Sequence, residues 1–175
     1  MALDTTTVQE KLTEKFGESV TAFSTEFGMF HFEATRDKNV EIVQYLRDSL
    51  GFNFLTDVCG VHFPDNEIEK QFAVVYHLHN WAENVRVRFK VFLNGENPEV
   101  ESLSSLFNSA NWQERETYDF YGIIFTGHPD LKRILNMDEM VSFPMRKEFP
   151  MEDANRTDKD DRYFGRIPQN AGNLN

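Results

Sequence analysis

Residues 72–93 read FAVVYHLHNWAENVRVRFKVFL. Phe72, Val74, Tyr76 and Leu78 alternate through the first part, and Val85, Val87, Phe89, Val91 and Leu93 through the second. An apolar residue at every second position is the period of a half-buried strand, because successive side chains of a strand point to opposite faces. In the second run Arg86, Arg88 and Lys90 take the other face, so one side is dry and one is wet. The connection around residues 80–84 is short enough to fold the two runs back as an antiparallel hairpin. That hairpin is the nucleus of a sheet, and the rest of the chain is read outward from it.

Just upstream, Phe52 to Phe63 is apolar on both alternating sets (Phe52, Phe54 and Val58; Leu55, Cys59, Val61 and Phe63), which predicts a central strand covered on both faces. Before it, Asp37 is placed to cap a helix bearing Val40, Val43, Leu46 and Leu50, closed by Gly51. Residues 19–34 form two strand-like runs around Phe27-Gly28, with Phe30 and Phe32 alternating with His31 and Glu33. At the start, Thr7 with Glu10 is a capping-box pattern, and Val8, Leu12 and Phe16 repeat every fourth residue up to Gly17. Downstream, Asn94-Gly95 and Pro98 end the sheet region. Ser102 is expected to cap a helix carrying Leu103, Leu106 and Phe107, and another helix is expected from about Trp112 to Tyr121.

Helix, two strands, helix, three strands, then helices is an α+β order. It predicts a two-layer fold with a mainly antiparallel or mixed sheet and helices on one face. A helix-turn docking segment over 112–150 and an extended C-terminal tail follow it. The domain is assigned to residues 1–150. Residues 151–175 hold nine charges, with Tyr163, Phe164, Ile167 and Leu174 as the sizeable apolar side chains, so that stretch is expected to be loose unless it lies along another protein.

Charge removes several function classes. The chain carries a formal charge of −11, and no segment has a basic surplus: residues 1–111 hold 17 acids against 9 bases, 112–150 hold 7 against 5, and 151–175 hold 5 against 4. Nucleic-acid binding by counterion release needs the opposite balance, and an anionic lipid surface is no better a ligand. One cysteine, Cys59, leaves no internal disulfide, cysteine-rich zinc site or iron–sulfur cluster. No apolar run approaches the ~20 residues of a membrane span, and the N-terminus has neither signal- nor transit-peptide character, so a cytoplasmic protein is expected.

The densest chemistry lies in residues 112–150, WQERETYDFYGIIFTGHPDLKRILNMDEMVSFPMRKEFP. Glu114, Arg115, Glu116 and Asp119 fall within two helical turns, where Arg115 and Asp119 are spaced to support each other at i,i+4 while Glu114 and Glu116 point to different sides. A carboxylate di-metal site needs Glu-x-x-His pairs, which the chain lacks. His77 and His79 share one strand face and would begin a metal site with His62 as the candidate third ligand. Arg86, Arg88 and Lys90 offer an anion-binding face, although a solvated strand face explains them as well. His128 before Pro129 reads as a turn or cap residue that is also open to an interface contact. Phosphate loops, a nucleophile elbow and Cys-x-x-Cys are missing. Read from its residues, the chain is a subunit without an active site of its own.

The linked pattern Glu114-Arg115-Glu116-x-x-Asp119-x-x-Gly122, Gly127-His128-Pro129-x-Leu131-x-Arg133-Ile134-Leu135 and Pro144-x-Arg146-Lys147-x-Phe149-Pro150 closely resembles the signature of the C-type subunit of the proton-translocating NADH:quinone oxidoreductase, respiratory complex I. Asn111-Trp112, Leu55-Thr56-Asp57-Val58 and the run from Phe72 to Leu78 resemble that family too, and the likeness extends from about Phe30 to Pro150. The resemblance implies a bacterial, unfused, non-catalytic structural subunit of the hydrophilic arm, peripheral on the cytoplasmic side of the inner membrane. It implies no cofactor on this chain, with NADH, FMN, iron–sulfur clusters and quinone held by the rest of the complex. It implies contact with the quinone-site subunit and the terminal-cluster subunit, the tail running over the former with Arg162 and Tyr163 where such tails place a base and an aromatic. Trp112, Glu114, Arg115, Glu116, Asp119, Gly122, His128, Pro129, Arg133, Arg146 and Lys147 are then the interface residues. A related accessory subunit of a membrane-bound nickel–iron hydrogenase is the nearest alternative, and a free-standing metal- or anion-binding enzyme the more distant one.

Overall fold

The computed structural model describes residues 3–149. The expected boundary at Pro150 and the expected tail, 151–175 with Arg162 and Tyr163, lie outside the described residues.

Among the described residues three α-helices and seven strands follow in the order α1 (Thr5–Phe16), β1 (Val20–Glu26), β2 (Met29–Ala34), α2 (Asn39–Leu50), β3 (Phe54–His62), β4 (Phe72–Asn80), β5 (Val85–Leu93), β6 (Glu99–Glu101), α3 (Ala110–Tyr121) and β7 (Ile124–Thr126). The expected hairpin is β4–β5, antiparallel along its whole length, with Tyr76 opposite Phe89 and Val74 opposite Val91. The Tyr76 and Phe89 rings stack at 4.8 Å. The five-stranded sheet has the order β1-β2-β5-β4-β3, mixed because β2 runs parallel to β5 while the other three neighbouring pairs are antiparallel. The apolar face (Phe30, Phe32, Val58, Val74, Tyr76, Leu78, Val87, Phe89 and Val91) closes into one core with Val8 and Leu12 of α1 and Ile42, Val43, Leu46 and Leu50 of α2. The fold is the α+β class that the alternation predicts.

Four local expectations are corrected. The first helix is capped by Asp4, whose carboxylate accepts from the Thr7 amide at 2.7 Å, so Thr7 lies inside the helix and the capping box does not form. Asp37 sits in a 3₁₀ turn over Arg36–Lys38 and pairs with Arg36 at 3.3 Å, while α2 begins at Asn39 without a side-chain cap. Residues 103–109 make turns rather than a helix, because Ser102 is turned inward to Glu114. The strand through Phe54–His62 is at the edge of the sheet and not central. Its doubly apolar pattern has another source: α3 runs along it, and Gln113 and Thr117 donate to the Thr56 and Val58 carbonyls at 3.2 Å each. Gly60 makes that approach possible, since a Cβ there would meet the Tyr121 ring at 2.6 Å and Thr117 at 3.0 Å.

A feature the sequence reading missed is a second, two-stranded parallel sheet, β6 with β7, which brackets α3. It ties the chain entering α3 to the chain leaving it. Among the described residues no helix is long and apolar enough to cross a membrane.

Candidate functional site

Of the α3 residues singled out by spacing, Glu114, Arg115 and Asp119 are buried, while Trp112 and Glu116 face outward. The Gly122 closure, in the left-handed conformation at φ 71°, ends the helix with its amide on the Tyr118 carbonyl. A side chain at Gly122 would strike Arg146 and Phe143, so the glycine is required twice over.

Asp119 organises the chain that follows. Its carboxylate accepts from the amides of Ile134 (3.0 Å), Leu135 (2.8 Å) and Asn136 (2.9 Å), from the Asn136 side chain, and from Arg133 at 2.7 Å. Burial alone would raise its pKa. The hydrogen bonds from Asn136, Leu135, Arg133 and Ile134 outweigh that and hold it well below the usual carboxylate range. The Asp119–Arg133 pair is almost wholly buried, and Arg133 gives three further hydrogen bonds to the carbonyls of Asp119, Met140 and Ser142. The expected Arg115–Asp119 pair is not made. Arg115 instead donates to the carbonyls of Lys132 (3.1 Å) and Arg133 (3.0 Å) and lies 5.2 Å from the Trp112 ring centre. The reason is geometric: a loop folded back over the helix offers Asp119 five directed donors, and a same-helix arginine offers a looser contact.

Glu114 points the other way, into the interior. It accepts from Ser102 Oγ at 2.5 Å and the Leu103 amide at 2.7 Å, with no cation partner among the described residues. Burial pushes its pKa up to about 7 against the pull of those two hydrogen bonds. Ser102 also meets Ser104 Oγ at 2.8 Å.

A second knot holds the end of the segment. Arg146 donates to the Tyr121 carbonyl at 2.7 Å and lies between the rings of Phe72 (4.9 Å) and Phe143 (4.7 Å). Lys147 contributes through its backbone, donating to His62 Nδ1 at 3.0 Å, while its side chain is exposed. His128 accepts from the Asp130 amide on Nδ1, which leaves Nε2 to donate to the Asn111 carbonyl at 3.0 Å and pins the Gly-His-Pro-Asp turn to the start of α3. Pro129 is exposed beside it. Sequence reading singles out His62 and Ser102 for other roles, a metal ligand and a helix cap, and leaves Phe143 and Asn136 unmarked as partners. Of these last two, only Phe143, by its place in the Phe-Pro pair, carried a local signal.

The outer face of this segment carries large exposed apolar side chains among its charges. Trp112 is 60% exposed, Leu135 65%, Met137 73% and Val141 94%. The metal alternative loses its third ligand: His62 stacks on Phe72 at 4.5 Å on the core-facing side, while His77 and His79 lie on the opposite face. His77 lies 3.9 Å from Asp57, and His79 contacts Asn84. Among the described residues no three His, Cys, Asp or Glu side chains are grouped to hold a metal ion. Burial and the nearby Asp57 raise the Cys59 thiol to about 11, so it is protonated and a poor nucleophile at neutral pH.

Comparison with known proteins finds relatives along most of the chain. The family described as respiratory-chain NADH dehydrogenase, 30 Kd subunit, matches residues 32–155. The NADH-quinone oxidoreductase C-type subunit of Roseiflexus sp. (strain RS-1) is 38% identical over 172 residues, covering 96% of this chain and 98% of that protein. The second C-type subunit of the NADH-quinone oxidoreductase of Rhizobium etli (strain CIAT 652) is 38% identical over 154 residues, covering 86% and 80%. A trypsin-resistant fragment (1–134) of Nqo5 superposes with a TM-score of 0.59 at 32% identity, covering 71% of this chain and 98% of the fragment. A chain of the membrane-bound sulfane sulfur reductase, an archaeal respiratory membrane complex, shares the fold at a TM-score of 0.69 and 21% identity, covering 87% and 94%. Matched along most of its length by family and relatives alike, the chain belongs to the 30-kDa subunit family of respiratory-chain NADH dehydrogenases, which takes in the C-type subunits of the bacterial NADH-quinone oxidoreductases.

Proposed function

We propose that the chain is a non-catalytic structural and assembly subunit in the hydrophilic arm of an NADH:quinone oxidoreductase. That complex passes electrons from NADH through FMN and iron–sulfur clusters to quinone and couples the transfer to proton translocation. In this reading the cofactors belong to other subunits, and this chain docks through residues 112–150 against the quinone-site subunit and the terminal-cluster subunit. It is a peripheral part of the complex on the cytoplasmic side of the bacterial inner membrane.

The observation that carries the reading is the fate of the segment's charges. Asp119 is committed to Arg133 and three backbone amides, and Arg115 and Arg146 to backbone carbonyls. Groups so committed shape a surface; they are not poised to exchange protons with a substrate. The test is a tagged pull-down from solubilised membranes, comparing the unmodified chain with Arg115→Ala. The variant is expected to recover several-fold less of the flavin and iron–sulfur subunits while its sheet domain stays folded by circular dichroism. Normal assembly with lost NADH-to-quinone electron transfer would instead assign the segment a catalytic role.

A further inference from the structure

The loop after β7 turns its backbone inward. The amides of Ile134, Leu135 and Asn136 are taken by Asp119, the carbonyls of Lys132 and Arg133 by Arg115, and those of Met140 and Ser142 by Arg133. The Met145 amide is taken by the Phe120 carbonyl. A stretch with its main chain committed in this way is poorly suited to strand addition, where backbone hydrogen bonds supply the affinity. Recognition is left to the side chains.

Those side chains form a crest. Leu135, Met137 and Val141 stand outward with most of their surface exposed, and the exposed acids Asp138 and Glu139 lie between them. Among the described residues neither acid forms an ion pair. Of the segment's cations, Arg115, Arg133 and Arg146 are turned inward onto carbonyls, Asp119 and aromatic rings, Lys132 pairs with Asp130, and the Lys147 side chain is exposed beyond the crest. Apolar knobs beside two unpaired carboxylates match a socket with an apolar centre and a basic rim, the anatomy of a specific protein interface.

We propose that the crest 135–141 inserts into an apolar socket rimmed by Lys or Arg on another subunit of the oxidoreductase complex, with Asp119 and Arg133 as the positioning residues that hold the crest in shape. The proposal rests on the membership reading above and specifies its mode of attachment: side-chain burial at the centre, and electrostatic selection at Asp138 and Glu139. A nucleic acid or an anionic membrane is disfavoured, since the crest and the chain as a whole are acidic.

The experiment supplies a bacterial strain lacking this chain with the tagged full chain or a variant, then quantifies the flavin and iron–sulfur subunits recovered at about 0.1 M and about 0.5 M NaCl. Leu135→Ala with Met137→Ala is expected to lower recovery about tenfold at both salt concentrations, as for apolar residues at an interface centre. Asp138→Lys with Glu139→Lys is expected to lower it about as much at low salt, with the gap to the unmodified chain narrowing at high salt. Equal thermal midpoints of the purified chains separate this from unfolding. If the unmodified chain recovers the subunits and both variants match it, the proposal is overturned while membership stands. If the unmodified chain recovers none, membership falls and takes the proposal with it. A self-association of the purified chain that Leu135→Ala and Met137→Ala abolish, with recovery unchanged, would make a second copy the occupant and overturn it as well.

Discussion

The β4–β5 hairpin and the segment from α3 to Phe149 are ordered by different forces. In the hairpin Val74, Tyr76, Leu78, Val87, Phe89 and Val91 are all fully buried, and their stabilisation is the non-directional removal of apolar surface from water. In the segment few large apolar side chains are fully buried, and order comes from directed bonds onto Asp119, Glu114, Arg115, Arg133 and Arg146. The first arrangement tolerates a change of shape if the volume is kept. The second depends on each donor meeting its acceptor, so one atom misplaced leaves a buried charge alone.

Three variants sharpen that contrast. Phe89→Ala, in the stacked centre of the sheet, is expected to destabilise the whole domain by about 3–5 kcal/mol, read as a lower denaturant midpoint. A loss well under 1 kcal/mol would mean that the sheet repacks. Asp119→Ala leaves Arg133 buried without its carboxylate, at a cost of about 3 kcal/mol. Here the loss should be local: hydrogen exchange at the amides of residues 134–136 accelerates strongly, while amides of β4 keep their protection. Equal loss of protection in β4 would show that the two regions unfold as one unit.

The smallest effect is the pH dependence of Glu114. Its pKa is raised in the folded state, from an ordinary 4.5 to about 7. The stability associated with its neutral form is therefore complete below pH ~4.5 and declines as pH rises towards 7, on the order of 2–3 kcal/mol in all. Glu114→Gln keeps an acceptor for the Leu103 amide, presents an amide donor to Ser102 Oγ as a protonated carboxyl would, with the Ser102 hydrogen turned to Ser104 Oγ, and cannot ionise. Its stability is expected to be flatter than that of the unmodified chain between pH 4.5 and 7.5, and greater at pH 8. Parallel stability curves for the two proteins would refute a neutral Glu114.

Legibility in the sequence follows the same division. The strands β2, β4 and β5 and the C-terminal ends of α2 and α3 were readable because burial on a sheet or helix repeats at a fixed short period, and Gly51 and Gly122 mark their own φ; β1, whose burial does not alternate, was legible only as a strand-like run. Strand β3 was readable as a strand but misplaced at the centre of the sheet, since its second cover is a helix more than 50 residues later, which periodicity cannot register. The 112–150 segment announced its charged residues and concealed their partners. Asp119 pairs with groups 14 to 17 positions on, a separation fixed by the route of a loop, so the visible i,i+4 arginine was the wrong partner. Glu114 was conspicuous as a charge, but its burial without a cation depends on the two-strand sheet β6–β7, whose three-residue strands are too short to show a period.

The covering of β3 by Gln113 and Thr117 has a consequence for how the protein is made. Their bonds span 57 and 59 residues, so during vectorial synthesis β3 leaves the ribosome well before the helix that shields it. In that interval the strand presents an open edge of the kind that recruits other nascent chains. The exposure of that edge is therefore confined to one window of translation, which closes when α3 emerges and folds onto it.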